Sequence, residues 1–137
     1  MVKEDVYKHL TKGQQALFMF SAYYNHASKS MAEFYWWTAY FLAQPKTWSE
    51  IKIGLRHFRA NAMLQLLEEL EGTLKAWNHP RSFQGFDVTY KDLDNDPELL
   101  SSISPLNTRL HEISSAILKG IGEHIRKSPH EFIKFED

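Results

Sequence analysis

Five prolines, at positions 45, 80, 97, 105 and 129, divide this 137-residue chain into long blocks that carry a helical hydrophobic repeat. Proline has no amide proton and its ring clashes with the preceding turn, so each one bounds or opens a helix. Between the prolines, apolar residues recur every three or four positions, the period of an amphipathic helix. The expected fold is all-α: an antiparallel bundle of four to five helices with one long central helix. The chain reads as a single helical domain over 1–137, with an irregular acidic loop over 78–95 and a loose tail over 128–137. A chain of this length buries a core without staples. It contains no cysteine, so disulfides, thiolate-held zinc and thiol nucleophiles are all excluded.

The first helical block runs from about Asp5 to Ser28, and a second opens at Ser30-Met-Ala-Glu33, a capping-box pattern. Whether residues 5–43 form one kinked helix or two is left open by the sequence. Thr47-Trp-Ser-Glu50 repeats the capping pattern after Pro45, and the helix it opens is expected to run to about Trp77. Its stripes are Ile51, Leu55, Phe58, Ala62 and Leu66, then Met63, Leu67, Leu70, Leu74 and Trp77. At about 30 residues it would span roughly 45 Å and be the long helix of the fold. In the segment that follows, Phe86, Val88 and Tyr90 alternate as in a short extended run, within a loop packed by its own aromatics. Asp96-Pro97 signals a helix start, with the carboxylate as cap and proline in the first turn. Ser104-Pro105 signals another, opening a last helix over about 105–127 with Leu106, Leu110, Ile113, Ile117 and Ile121 on one stripe. Ala116 and Gly120 beside it would admit a close helix neighbour.

No segment reads as a secretory leader or a membrane span. The longest apolar stretch is about ten residues against the roughly 20 that a bilayer requires, so a cytoplasmic location is expected. Catalytic patterns are also missing. There is no Gly-x-Ser-x-Gly elbow, Gly120-Ile-Gly122 lies late in a helix and not after a strand, and the aspartate run over 87–98 lacks the glycine and closing glutamate of a calcium loop. Seven histidines fall in no Glu-x-x-His or HExxH arrangement. No metal ligands and no cofactor are therefore expected, and the chain reads as a non-enzyme.

The formal charge of −1 conceals a segregation. Over residues 6–66, Lys8, Lys12, Lys29, Lys46, Lys52, Arg56 and Arg59 stand against Glu33 and Glu50, a net of +5. Over 68–98, eight acids stand against Lys75, Arg81 and Lys91, a net of −5. Lys52, Arg56 and Arg59 are spaced i, i+4, i+7 and would share a helix face. With Lys8, Lys12, Arg126 and Lys127 they form a candidate surface for a DNA or RNA backbone, without sequence readout. The alternative is a solvated face flanking the core. Ten of the nineteen aromatics lie between residues 18 and 41. Phe34, Tyr35, Trp36 and Trp37 must point all round their helix. Phe34, Trp36, Trp37 and Tyr40 are therefore candidates for a protein interface, the alternatives being an encircled helix or base stacking.

Three resemblances bear on function. Trp48-Ser49 followed by His57 resembles the helix start of DinB-like metal-binding bundles, but the spacing differs by one and their later histidine pair is missing. Arg126-Lys-Ser-Pro-His130 resembles the arginine–histidine signature of HEPN-type ribonucleases, with a shorter gap that contains a proline. In size, helical make-up and basic face, the whole chain is similar to the small helical subunit of multisubunit CRISPR effector complexes. That last resemblance implies a role in antiviral defence, several copies per assembly, contact with protein subunits and a nucleic-acid backbone, and no catalysis. The favoured reading is a non-catalytic helical subunit of this kind. A helical protein-inhibitor or adaptor module, recognising a basic partner through the acidic loop, is the alternative. A metal-dependent or HEPN-like enzyme using His57, His111 or His130 is the third.

Overall fold

The computed structural model describes residues 7–79 and 82–132. Among these residues every regular element is helical, so the all-α reading holds. Helix α1 spans Lys12–Ala27. It begins later than the sequence suggested because Thr11 and Gln14 form a complete capping box: the Gln14 amide donates to Thr11 Oγ1 at 3.1 Å, and the Thr11 amide donates to Gln14 Oε1 at 2.9 Å. Asp5 lies outside the described residues. Ser28–Ser30 is a true break. Ser30 takes an extended conformation, its Oγ accepts the Glu33 amide at 3.1 Å, and α2 follows over Met31–Leu42.

Helix α3 spans Pro45–His57, three residues earlier than the Thr47 capping box would start it. Proline at the first helical position loses nothing, since its missing amide would have had no partner there. Thr47 and Glu50 consequently lie within α3.

The expected helix over 47–77 is two helices, α3 and α4 (Asn61–Ala76). Arg59 has a φ of 57°, in the left-handed region. The Ala60 amide reaches back to the Leu55 carbonyl at 2.9 Å, the bond that closes a Schellman turn. The joint keeps Phe58 and Ala60 buried and leaves the expected Ala62 exposed. Asn78 (φ 60°) ends α4 in the same way, with the His79 amide on the Leu74 carbonyl at 3.0 Å.

After the short α5 (Asp92–Asn95), the longest helix is α6, Pro97–Lys127, 31 residues and roughly 46 Å. Asp96 caps it as expected, accepting from the Glu98 and Leu99 amides at 3.2 Å each. Pro105 does not open a new helix. It sits exposed inside α6, where the carbonyl it leaves unpaired can meet water. A short 3₁₀ turn, Pro129–Glu131, follows, so part of the expected loose tail is structured.

Two antiparallel pairs make the bundle. Helix α3 lies along α1, with Trp48 edge-on to Tyr23 and Gly54 so close that a Cβ there would stand 3.1 Å from the Ala16 carbonyl oxygen. Helix α6 lies along α4, joined midway by an ion pair between Arg109 and Glu69. Helix α2 packs across the bundle, burying Phe34, Tyr35 and Leu42. The core stripes of α4 fall where expected: Met63, Leu66, Leu67, Leu70 and Leu74 are all fully buried. On α6, Leu110 and Ile121 are buried, with Leu106, Ile113 and Ile117 partly so. Among the described residues no helix approaches Ala116 and Gly120: both are exposed, and a Cβ on Gly120 would meet nothing within 4 Å. No helix among the described residues is long and apolar enough to cross a membrane.

Candidate functional site at the cationic end

One end of the bundle gathers the start of α1, the end of α3, the start of α4 and the end of α6. Antiparallel packing puts Lys12, Arg56, Arg59, Arg126 and Lys127 there, all exposed. Lys12 lines a groove with Tyr7 and His57, while Arg59 and Lys127 line a shallow cleft with His57, Glu123 and His124. The cations of the α3 and α6 last turns also complement the negative helix ends on which they sit. Lys8 is exposed as well.

The expected face formed by Lys52, Arg56 and Arg59 does not exist as one face. Arg59 leaves the helix at the left-handed joint, and Lys52 is half-buried and paired with Glu71 at 3.4 Å. Glu71 also takes Lys75 at 3.3 Å and the Trp48 indole N–H. Lys52 thus belongs to the α3–α4 packing.

At the centre of the cationic end, His57 Nε2 lies 2.6 Å and His124 Nε2 3.0 Å from the same oxygen, Glu131 Oε1. About a quarter of each side chain is exposed (26%, 27% and 24%). Hydrogen bonds from His124 and His57 hold the Glu131 carboxyl below its ordinary range, with His124 contributing most and partial desolvation opposing. An aromatic floor lies beneath: Phe58 stacks on Phe132 with centroids 6.1 Å apart, and His124 stands edge-on to both. Glu131 itself is tied to the start of α1. Thr11 Oγ1 donates to its carbonyl, and Gln14 Nε2 donates to the Phe132 carbonyl at 2.9 Å. A Cβ on Gly13 would stand 2.7 Å from the Glu131 carbonyl oxygen, so only glycine permits this approach. Arg126 and His130 are exposed on either side of the Ser128–Pro129 break and share no helix face.

The opposite end, acidic around the cavity bordered by Asp87, Asp92 and Asp96 although Lys29 and Lys46 also stand there, holds a second histidine–carboxylate cluster. The Tyr35 hydroxyl donates to Asp92 Oδ2 at 2.6 Å and meets His79 Nε2 at 2.8 Å. A phenol has one proton. Since it goes to Asp92, His79 must donate from Nε2, which leaves Nδ1 as a bare acceptor. That Nδ1 is buried without a partner. Burial accordingly lowers the His79 pKa, because a protonated ring would bury an unsatisfied N–H. Burial first, then Asp92, raises the Tyr35 pKa. For Asp92, desolvation is outweighed by hydrogen bonds from Tyr35 and Thr89, and its pKa falls. Asp87 and Asp96 border the same cavity.

The aromatic candidates are mostly spent inside the molecule. Phe34 is fully buried and cannot meet a partner, which corrects its assignment to an interface. Trp36 is half-buried beneath the 82–90 segment: its N–H donates to the Val88 carbonyl at 3.0 Å and its ring stacks on Tyr40 and Tyr90. Tyr40 meets Phe83 and Phe86, and Trp37 stacks on His26 at 3.9 Å. No strand forms at 86–90; the loop's rings pack on α2 and on each other. Among the described residues the exposed aromatics are Phe83 (54%) and Tyr90 (45%), on the loop.

The histidine–carboxylate cluster was hidden from spacing rules because residues 57 and 124 stand 67 positions apart and meet only through helix pairing. No protein-family model, no curated protein and no solved structure matches this chain.

Proposed function

We propose that this protein is a non-catalytic helical subunit of a larger cytoplasmic assembly that holds a nucleic-acid backbone at its cationic end. The observation that carries the reading is the convergence of Lys12, Arg56, Arg59, Arg126 and Lys127, from four helix termini, on one exposed end. Asp87, Asp92 and Asp96 border a cavity toward the other end. Exposed cations without hydrogen-bonding partners arranged for base edges suit phosphate contacts, each of which releases a counterion. The likeness to small CRISPR subunits is compatible with this reading, and it rests on size, helical make-up and charge alone.

Arg56→Glu combined with Arg59→Glu tests it. Salt-sensitive retardation of an oligonucleotide on a gel should vanish while the helical circular dichroism stays intact. Unchanged affinity at low salt sinks the reading. A second reading, an adaptor that binds a basic protein partner, is favoured by one observation: Phe83 and Tyr90 are exposed on the loop that carries Asp87. It predicts no oligonucleotide shift in the unmodified protein.

A further inference from the structure

The cluster at the cationic end has the composition and geometry of a metal site. We propose that His57 Nε2, His124 Nε2 and a Glu131 carboxylate oxygen bind one divalent transition-metal ion of the zinc class, with a fourth position open to the cleft. Two imidazoles and one carboxylate are a recurrent three-ligand set for zinc with an open coordination position. Imidazole also selects zinc-like ions over magnesium and calcium, which prefer oxygen.

The three ligand atoms lie within 4.8 Å of one another. A tetrahedral ion with bonds of about 2.0–2.1 Å separates its ligand atoms by roughly 3.3 Å. The existing separations from the carboxylate are 2.6 and 3.0 Å and that between the imidazoles is within 4.8 Å, so side-chain adjustments of up to about an ångström admit the ion. The ligands are also held from behind. His57 and His124 stand edge-on to Phe58, and His124 also to Phe132. Glu131 is positioned through its backbone by Thr11 and Gly13. Ligands fixed by such outer contacts bind without a large ordering cost.

Without an ion, both imidazoles can donate to the carboxylate, so the fold is satisfied metal-free and the site exchanges hydrogen bonds for coordination. Arg59 and Lys127 in the cleft oppose a bare cation, while Glu123 beside them offsets part of that charge. The same cations favour an anionic oxygen donor at the fourth position. The inference needs no nucleic acid: the ion can bind whether or not the cationic end holds a polyanion.

The test is a titration of the full chain, stripped by chelator and dialysed, with Zn²⁺ and with Co²⁺. One Zn²⁺ per chain should bind, and Co²⁺ should develop the intense visible bands of a four-coordinate complex. His57→Gln or His124→Gln should weaken binding by more than the about 10- to 100-fold typical of losing an outer-shell partner. Glu131→Gln should weaken it too, whereas His111→Gln and His130→Gln should leave it unchanged. X-ray absorption of the zinc-loaded unmodified chain, which does not depend on any variant folding, should show two imidazoles in the coordination shell. Absence of stoichiometric Zn²⁺ binding, wild-type affinity in the His57→Gln/His124→Gln double variant, or a zinc shell without imidazole would each overturn the proposal.

Discussion

The two ends of the bundle use the same chemical groups to opposite effect. At the cationic end two imidazoles converge on one carboxylate oxygen, with a quarter of each side chain in contact with solvent. At the acidic end one imidazole and one carboxylate share a single phenol that is itself fully buried. The acidic cluster is closed. Tyr35 donates its one proton to Asp92, Thr89 donates twice more to the same carboxylate, and the ring of His79 is confined to one neutral tautomer. The cationic cluster is matched as well, two imidazole donors on one carboxylate oxygen, but it stands partly in solvent. Burial, more than residue type, separates a cluster that braces the fold from one that can take a ligand.

That contrast can be broken most severely through the ring that carries the loop of the acidic end. Trp36→Ala removes the stack on Tyr40 and Tyr90 and the bond to Val88, and should cost about 3 kcal/mol in a urea titration, with loss of near-ultraviolet dichroism. Were Trp36 only a partner contact, stability would be unchanged. Tyr35→Phe deletes just the shared hydroxyl and leaves two polar partners stranded. Its expected cost is about 1–3 kcal/mol, read from the same titration.

Acid should then distinguish the two clusters. The folded-state pKa of His79 lies below its ordinary 6.5, so the unfolded chain takes up the proton first and stability falls as pH drops below that value. His79→Gln should flatten the loss of stability between pH 7.5 and 5.5. Glu131 is also depressed, but from 4.5, so its contribution is present above that pH and is lost only as pH falls below it. Glu131→Gln should therefore alter the curve below about pH 4.5. The smallest effect is expected at the joint. Arg59→Gly relieves a left-handed non-glycine residue and should raise stability by about 1 kcal/mol while removing one cation.

Local signals in the sequence were legible where one chemical rule decided the outcome. Ser30 and Asp96 announced their helices because short polar side chains reach orphan amides. The apolar period of α4 placed its core face correctly. Positions where two rules compete were misread. The helix before Pro45 ends where expected, but Pro45 itself, at home in a first turn, opens the next one in place of Thr47; Pro105 looks like a helix start, yet it is tolerable inside α6 where the freed carbonyl faces water. The Arg59 joint carries neither glycine nor proline, since burial of Phe58 and Ala60 on both sides imposes the turn. The aromatic run was read as a surface because the segment that covers it lies fifty residues downstream in the chain. The histidine–carboxylate cluster shares this origin: its members meet only after α4 and α6 have paired.

The bond from Thr11 to the Glu131 carbonyl spans 120 positions. Chain segments that far apart meet last, because loop-closure entropy must be met by contacts already formed. The α1–α3 and α4–α6 pairs can each form from nearer residues, whereas this clasp adds almost nothing to the barrier crossing itself. Gly13→Ala, which keeps the Thr11 cap but crowds the Glu131 carbonyl, should accordingly accelerate unfolding without slowing refolding in stopped-flow measurements. On that account the clasp acts as a kinetic lock: it does little to guide the chain to its native state, but it sets how long the chain stays there.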